Sequence, residues 1–259
     1  MSEIDSPGQA PASVGSRAPA IDIVDLHVSY GDTAVLRGVD LRVEPGEVTV
    51  IVGGSGCGKS TLLKTIIGLT TPRSGRVRLL GGALHDLAEP EQQALLRRVG
   101  VMFQYGALLN SLTVGENVAL PLEMHADIDA QLVQQVVRTR LEQVGLGHAV
   151  DLLPTELSGG MRKRAALARA MALDPEILFC DEPGAGLDPV TAAEIDKLLL
   201  KLNESLATTL VVVTHELLSI SRLGGQLLML DGGRVRFYGT SAEAQSSTQP
   251  ELERFFHPG

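Results

Sequence analysis

No tryptophan occurs in this chain, and aromatic residues make up only 3% of it, so aliphatic side chains must supply the bulk of any core. No apolar run approaches the ~20 residues needed to cross a bilayer as a helix, which predicts no membrane span. No basic patch followed by an apolar stretch opens the sequence, which predicts no secretory signal. Basic residues are outnumbered: 22 Lys and Arg face 31 Asp and Glu, for a net charge of −9. That balance speaks against nucleic acid or an anionic lipid surface as a partner. Cysteine is scarce too. Cys57 and Cys180 show no metal-type spacing and form no disulfide framework. They read as small packing residues in a reducing cytosol. What remains is an ordinary globular balance over 259 residues, 44% hydrophobic and 20% charged, enough for one large domain or two modest ones.

One stretch organises the rest. Gly53-Gly54-Ser55-Gly56-Cys57-Gly58-Lys59-Ser60-Thr61 follows the apolar run Val48 to Val52, which reads as a buried strand. It precedes Leu62 to Leu69, which reads as a helix start. The spacing fits G-x-x-x-x-G-K-[ST], the P-loop pattern, in its strand–loop–helix context. Glycines there let successive backbone N–H groups converge on one anion, and the helix adds its N-terminal partial positive charge. Lys59 would reach the β- and γ-phosphates, and Ser60 would ligate Mg²⁺, with Thr61 packing behind it.

Residues 1–20, rich in Pro, Ala, Gly and Ser, read as a disordered leader. Ile21 to Tyr30 and Ala34 to Val43 alternate as strands, with Ile21, Ile23, Val28 and Tyr30 expected to be buried. With Gly75 to Leu80 they predict a small antiparallel layer beside the nucleotide strand. Tyr30 stands at a strand end, where its ring could pack in the core or stack on an adenine. Glu89 to Arg98 predicts a helix, Val99 to Phe103 a strand, and Tyr105 to Glu123 a loop with short helical pieces. In Ala130 to Val144, Val133, Val137, Leu141 and Val144 share one helical face. Residues 89–153 together read as a group of helices.

Leu157-Ser158-Gly159-Gly160-Met161 opens a helical stretch from Arg162 to Leu173. Ser158 is a candidate N-cap, and Gly159 and Gly160 expose backbone N–H groups, a second anion site to which Arg162, Lys163, Arg164 and Arg169 add charge. The plainer reading is a solvated basic helix face. Ile177 to Glu182 is an apolar strand ending in two carboxylates. Asp181 would hold Mg²⁺, and Glu182 would act as general base on the attacking water. Gln104, at another strand end, could contact Mg²⁺ or that water. After the loop Gly184 to Pro189, Ala192 to Leu206 predicts a helix and Thr209 to Thr214 a strand reaching His215, which could orient Glu182 or donate to the γ-phosphate. Leu227 to Tyr238 reads as a hairpin turning at Asp231-Gly232-Gly233. A polar tail over 241–259 ends near Phe255 and Phe256, expected to be exposed and to dock on a neighbouring cassette.

The P-loop, Gln104, Leu157-Ser158-Gly159-Gly160, Asp181-Glu182, Asp188 and His215, in that order, resemble the ATP-binding-cassette ATPases. The resemblance covers about 21–240. It implies an α/β P-loop NTPase fold with a RecA-like core, an antiparallel β subdomain and an α-helical subdomain near 89–173. It implies ATP hydrolysis with ATP and Mg²⁺. By position, Tyr30 resembles the adenine-stacking aromatic, and Gln104 the residue sensing Mg²⁺ and the transporter partner. Ser158, Gly159 and Gly160 resemble the signature that meets the γ-phosphate held by the opposite subunit. Asp188 resembles the loop residue crossing that interface, and His215 the switch histidine. Partners implied are an integral membrane permease and a second cassette, most simply an identical copy, with location in the cytoplasm on the inner face of the cell membrane. Met161 departs from the family's usual glutamine, and Gly184-Ala185-Gly186-Leu187 from its usual Thr-Ser-Ala-Leu. Met161 with Arg162-Lys163-Arg164, and Phe103 to Leu109 with Ser111-Leu112-Thr113-Val114 and Glu116-Asn117-Val118, are similar to the Mla/Mce-associated lipid-transport ATPases. That implies phospholipid or another hydrophobic lipid as cargo, and a lipid-binding substrate protein as a further partner. Two rival readings explain less. A nucleic-acid-directed ABC module usually carries two cassettes or long coiled coils, with a basic surface. A P-loop small-molecule kinase leaves the Leu-Ser-Gly-Gly stretch without a purpose.

Overall fold

Ile21–Tyr30 (β1) and Thr33–Val43 (β2) pair antiparallel around the two-residue turn at Gly31 and Asp32, with Tyr30 opposite Thr33 and Ile21 opposite Val43. The computed structural model describes residues 18–257, so most of the expected leader lies outside the described residues. Chain order continues with Val48–Val52 (β3), Lys59–Ile66 (α1), Ser74–Leu79 (β4), Gly82–Ala83 (β5), Glu89–Leu96 (α2) and Val99–Met102 (β6). Next come Val114–His125 (α3), Ala130–Gln143 (α4), Gly159–Ala170 (α5), Ile177–Asp181 (β7), Pro189–Leu206 (α6) and Thr209–Val213 (β8). Leu217–Leu223 (α7), Gln226–Asp231 (β9), Arg234–Thr240 (β10), Ser241–Gln245 (α8) and Pro250–Phe256 (α9) complete it.

Two sheets result. One is antiparallel, ordered β2-β1-β4-β5; the other is ordered β10-β9-β3-β8-β7-β6, parallel except for the β9–β10 hairpin. The central strands are apolar on both faces because helices or strands cover both. Side-chain alternation divides them between two cores. Val50, Val52, Leu178, Cys180, Leu210 and Val212 face the helices. Ile51, Ile177, Phe179, Val211 and Val213 face α1 and the antiparallel sheet. The expected α/β architecture, with its β layer and helical group, is therefore present.

Several local expectations need correction. Tyr30 is not a core residue; it is 51% exposed, and the buried positions of β1 include Leu26 in its place. The segment 105–123, expected to be a loop with short helical pieces, instead enters a continuous helix at Val114, α3, which runs on to His125 and is started by a capping box in which Thr113 Oγ1 accepts from Glu116 N and Glu116 accepts from Thr113 N. Its period is masked in sequence by Pro121 and by burial of Asn117. The Asn117 amide ties down the preceding loop: Oδ1 accepts from Leu109 N, and Nδ2 donates to the carbonyls of Leu109, Leu112 and Thr113. The polar tail forms α8 and α9. Phe255 and Phe256, expected to be exposed, are half-buried against this chain's own core, ring edge to ring face.

Candidate nucleotide site

Parallel strands β3, β8, β7 and β6 lie side by side, so their carboxyl ends bring four loops to one edge of the sheet. Ile51 is level with Val213, which is level with Asp181. The P-loop after β3, His215 after β8, Asp181-Glu182 at β7 and Gln104 after β6 therefore converge. Ligands of open α/β sheets gather at such an edge.

Within the P-loop, Gly53 cannot be another residue. It has φ +147°, and a Cβ there would stand 2.2 Å from the Leu230 carbonyl oxygen and 2.7 Å from Cys57 Sγ. Cys57 is buried beneath the loop, as its packing role requires. Gly54, Ser55 and Gly56 are exposed, and the backbone turns into α1 through Gly58 at φ +112°. The Lys59 ammonium lies back across the loop, donating to the carbonyls of Gly53 at 2.7 Å and Gly54 at 3.1 Å. Ser60, in the first turn of α1, is exposed; Thr61 is half-buried.

Glu182 is the most constrained group. It follows the last residue of β7, is 8% exposed, and adopts φ 48°, the left-handed region that a side chain beyond Cβ disfavours. Its N–H donates to Val213 O at 2.8 Å. One carboxylate oxygen accepts from His215 Nδ1 at 2.7 Å, and the other from Thr214 Oγ1 at 3.4 Å. His215 itself is largely exposed. Asp181, half-buried, has its carboxyl pushed up by burial first and by the charge of Glu182 second, while Lys59 pulls it down. Gln104 is half-buried, and its carbonyl accepts from Lys163 Nζ.

The signature stretch has a different setting. Ser158 caps α5, its Oγ accepting from Met161 N at 3.2 Å. Gly159 and Gly160 lie against the Asp188 loop and its helix: a Cβ on Gly160 would stand 2.6 Å from Thr191 Cγ2, and one on Gly159 3.2 Å from Leu187 Cδ2. Asp188 is the N-cap of α6, accepting from Val190 N, Thr191 N and Thr191 Oγ1, and those bonds hold its carboxyl below the usual range. Tyr30, beside the P-loop helix, has its phenol lowered by hydrogen bonding with Thr70 and Thr61.

In the basic run after the signature Arg162 is exposed and Arg164 and Arg169 are half-buried, and each of these arginines bonds to acceptors of this chain. Arg162 donates to Leu157 O, Arg164 to Glu194 and Val144 O, and Arg169 to the carbonyls of Gly106 and Ala107. Lys163 is buried. Sequence reasoning missed its burial and the role of Thr214. The available signal was spacing: Lys163 lies three residues after Gly160 and three before Ala166, on the packed side of α5.

An oxygen-only set of Ser60, Asp181 and Gln104 at one sheet edge suits Mg²⁺, which takes few protein ligands and uses substrate phosphates for the rest.

Comparisons with known proteins give the same direction. The ABC transporter family profile matches residues 36–185. The chain is 37% identical to the intermembrane phospholipid transport system ATP-binding protein MlaF of Haemophilus influenzae, covering 91% of this chain and 89% of that protein. It is also 37% identical to the methionine import ATP-binding protein MetN of Clostridium tetani, over 90% of this chain and 73% of that one. A solved dimer of the ATP-binding cassette MJ0796, in a post-hydrolysis state with ADP and Pi, superposes with a TM-score of 0.77 at 32% identity, covering 85% of this chain and 98% of the cassette. With its P-loop, its Asp-Glu strand end and its signature helix in place, the chain belongs to the ABC transporter family, as an ATP-binding and ATP-hydrolysing subunit.

Proposed function

We propose that this chain hydrolyses ATP between its own P-loop and the signature of a second, identical copy, and so drives a membrane permease that carries phospholipid. The observation that carries the reading is the Glu182–His215 contact of 2.7 Å beside the P-loop. A carboxylate clamped at both oxygens, at the end of a parallel strand, is placed to take a proton from water.

In this reading the P-loop amides and Lys59 bind the β- and γ-phosphates, and Tyr30 stacks on the adenine. Ser60, Asp181 and Gln104 hold Mg²⁺, which when bound neutralises charge on the phosphates. Glu182 accepts the proton of the attacking water, and His215 fixes the carboxylate through Nδ1–H, leaving Nε2 toward the phosphate. Ser158, Gly159 and Gly160 serve the nucleotide of the partner copy, and Asp188 lies at that boundary. A two-fold pair completes both sites at once. Residues 21–240 form the ATPase domain, with 89–173 its helical part and 241–259 its tail.

The apolar segment from Ala107 to Leu122 would receive the permease, beside a groove between α3 and α4 of about 690 Å³ lined by Ala119, Ile128, Val133, Glu123 and Arg138. Cargo is read from the likeness to MlaF together with the Met161 signature. A lipid-binding substrate protein would serve the same permease. Because the permease lies in the membrane and ATP is cytoplasmic, the subunit sits on the inner face of the cell membrane.

The test is phosphate release by the purified chain. Glu182→Gln should lower kcat by about 10²- to 10⁴-fold with nucleotide affinity held within threefold. Unchanged turnover would remove Glu182 from its role. Recovery of a membrane protein other than a lipid permease from solubilised membranes would overturn the cargo assignment.

A further inference from the structure

One buried charge near the site has no role so far. Lys163 is 8% exposed, in the second turn of α5. Its ammonium donates to Gln104 O and, at 2.9 Å, to Glu182 O. The two partners lie 59 and 19 residues away in sequence. They belong to the ends of β6 and β7, so one side chain ties three elements together.

Both partners are neutral carbonyls, not carboxylates. Burying an ammonium whose hydrogen-bond partners are carbonyls is a poor way to gain stability, because no carboxylate is bonded to it to offset the desolvation of the charge. Burial accordingly pulls the Lys163 ammonium below its usual range, against the favourable charges of Glu182 and Asp181. What the arrangement does provide is control of backbone. Glu182 has a left-handed φ of 48°, a conformation that persists only where the surroundings over-determine it. Val213 O holds its N–H, while Lys163 Nζ and Ala185 N hold its carbonyl. The peptide that aims the carboxylate is thus gripped from both sides, and one grip comes from the helix that begins with the signature.

We propose that Lys163 is a positioning residue for hydrolysis: by binding the carbonyls of Glu182 and Gln104 it holds the carboxylate of Glu182 at its working angle and links that angle to the seating of α5. Its bonds go to those two backbone carbonyls, so it acts through Glu182. The inference rests on Glu182 being the general base.

The experiment is a double-mutant comparison on the full chain, read by single-turnover phosphate release and by nucleotide binding. Lys163→Met should lower kcat at least 30-fold while KM for ATP stays within threefold. In the Glu182→Gln background the same change should cost less than threefold, since there is no base left to aim. Lys163→Gln, which keeps a donor on a shorter stem, should fold and lose about tenfold in kcat, and it decides the matter if the methionine variant does not fold. The proposal is overturned if either variant keeps kcat within threefold of the parent. It is equally overturned if the loss from Lys163→Met appears undiminished in the Glu182→Gln background, or falls on KM alone. A parent-like Glu182→Gln would instead refute the base assignment, whatever Lys163 does.

Discussion

Replacing Gly53 by alanine would set a methyl group 2.2 Å from the Leu230 carbonyl oxygen and 2.7 Å from Cys57 Sγ. The thiol can rotate; the carbonyl cannot, because Leu230 is bonded into β9 beside β3. To restore an ordinary contact the loop must recede by about 1 Å, an overpacking that costs ~1–3 kcal/mol. A side chain at φ +147° adds a backbone cost of ~1–3 kcal/mol. Together the loss of stability should be about 2–6 kcal/mol. Gly54 is the built-in control. A Cβ there meets nothing within 4 Å, and its φ is not in the glycine region, so Gly54→Ala should stay within ~0.5 kcal/mol of the parent. Urea unfolding of both variants, with ATP titrated by calorimetry, separates them. Gly53→Ala should also lose turnover by about 10²-fold, because the amides proposed to bind the phosphates would move with the loop. Equal stability of the two variants, or parent-like turnover in Gly53→Ala, would refute the reasoning.

Other expectations follow from side chains away from the phosphate edge. Asp196 is fully buried and accepts from Ser219 Oγ and from Arg222 Nη1 at 3.1 Å, pinning α7 to α6; Asp196→Ala should cost about 2–3 kcal/mol in urea unfolding, with Arg222 free to rehydrate. Asn117→Ala strips the amide bonds that fix the loop before α3 and should lower stability by about 2–3 kcal/mol, read as a drop in Tm. Burial holds the His85 imidazole below its usual range, with Nε2 3.1 Å from Thr65 O. Protonation therefore favours the unfolded chain: the contribution is complete above the unfolded value near ~6.5 and is lost as pH falls through the lower folded value. Unfolding midpoints taken across that window should drop more steeply for the parent than for His85→Leu.

Legibility in the sequence followed how local each signal was. The strand–loop–helix around Lys59, the strand ending at Asp181 and the hairpin at Gly232 each carry their pattern within a dozen residues, and all three stand where the pattern places them. The caps at Ser158 and Asp188 are equally local signals; the second starts α6 at Pro189, earlier than the apolar stripe implies. The helix α3 hid because Pro121 and the buried Asn117 break the contrast between its faces, while its start signal, Thr113 with Glu116, is in plain view. Lys163 was hidden differently. A run of Arg-Lys-Arg reads as a wet surface, and only the fold shows that one of the three points inward to carbonyls from distant elements. Nor does any local pattern reveal that Glu182 takes a left-handed backbone, since the bonds that force it come from Val213 and Lys163.

The claim on which the account depends is that one copy holds only half of each working site. Light scattering on Glu182→Gln, with and without ATP, tests it directly. With ATP the mass should double from 27.4 kDa, and Ser158→Arg in that background should stay monomeric while its P-loop still fills. A mass that stays at one chain with nucleotide saturating the P-loop, or an undiminished dimer in the Ser158→Arg variant, would contradict it.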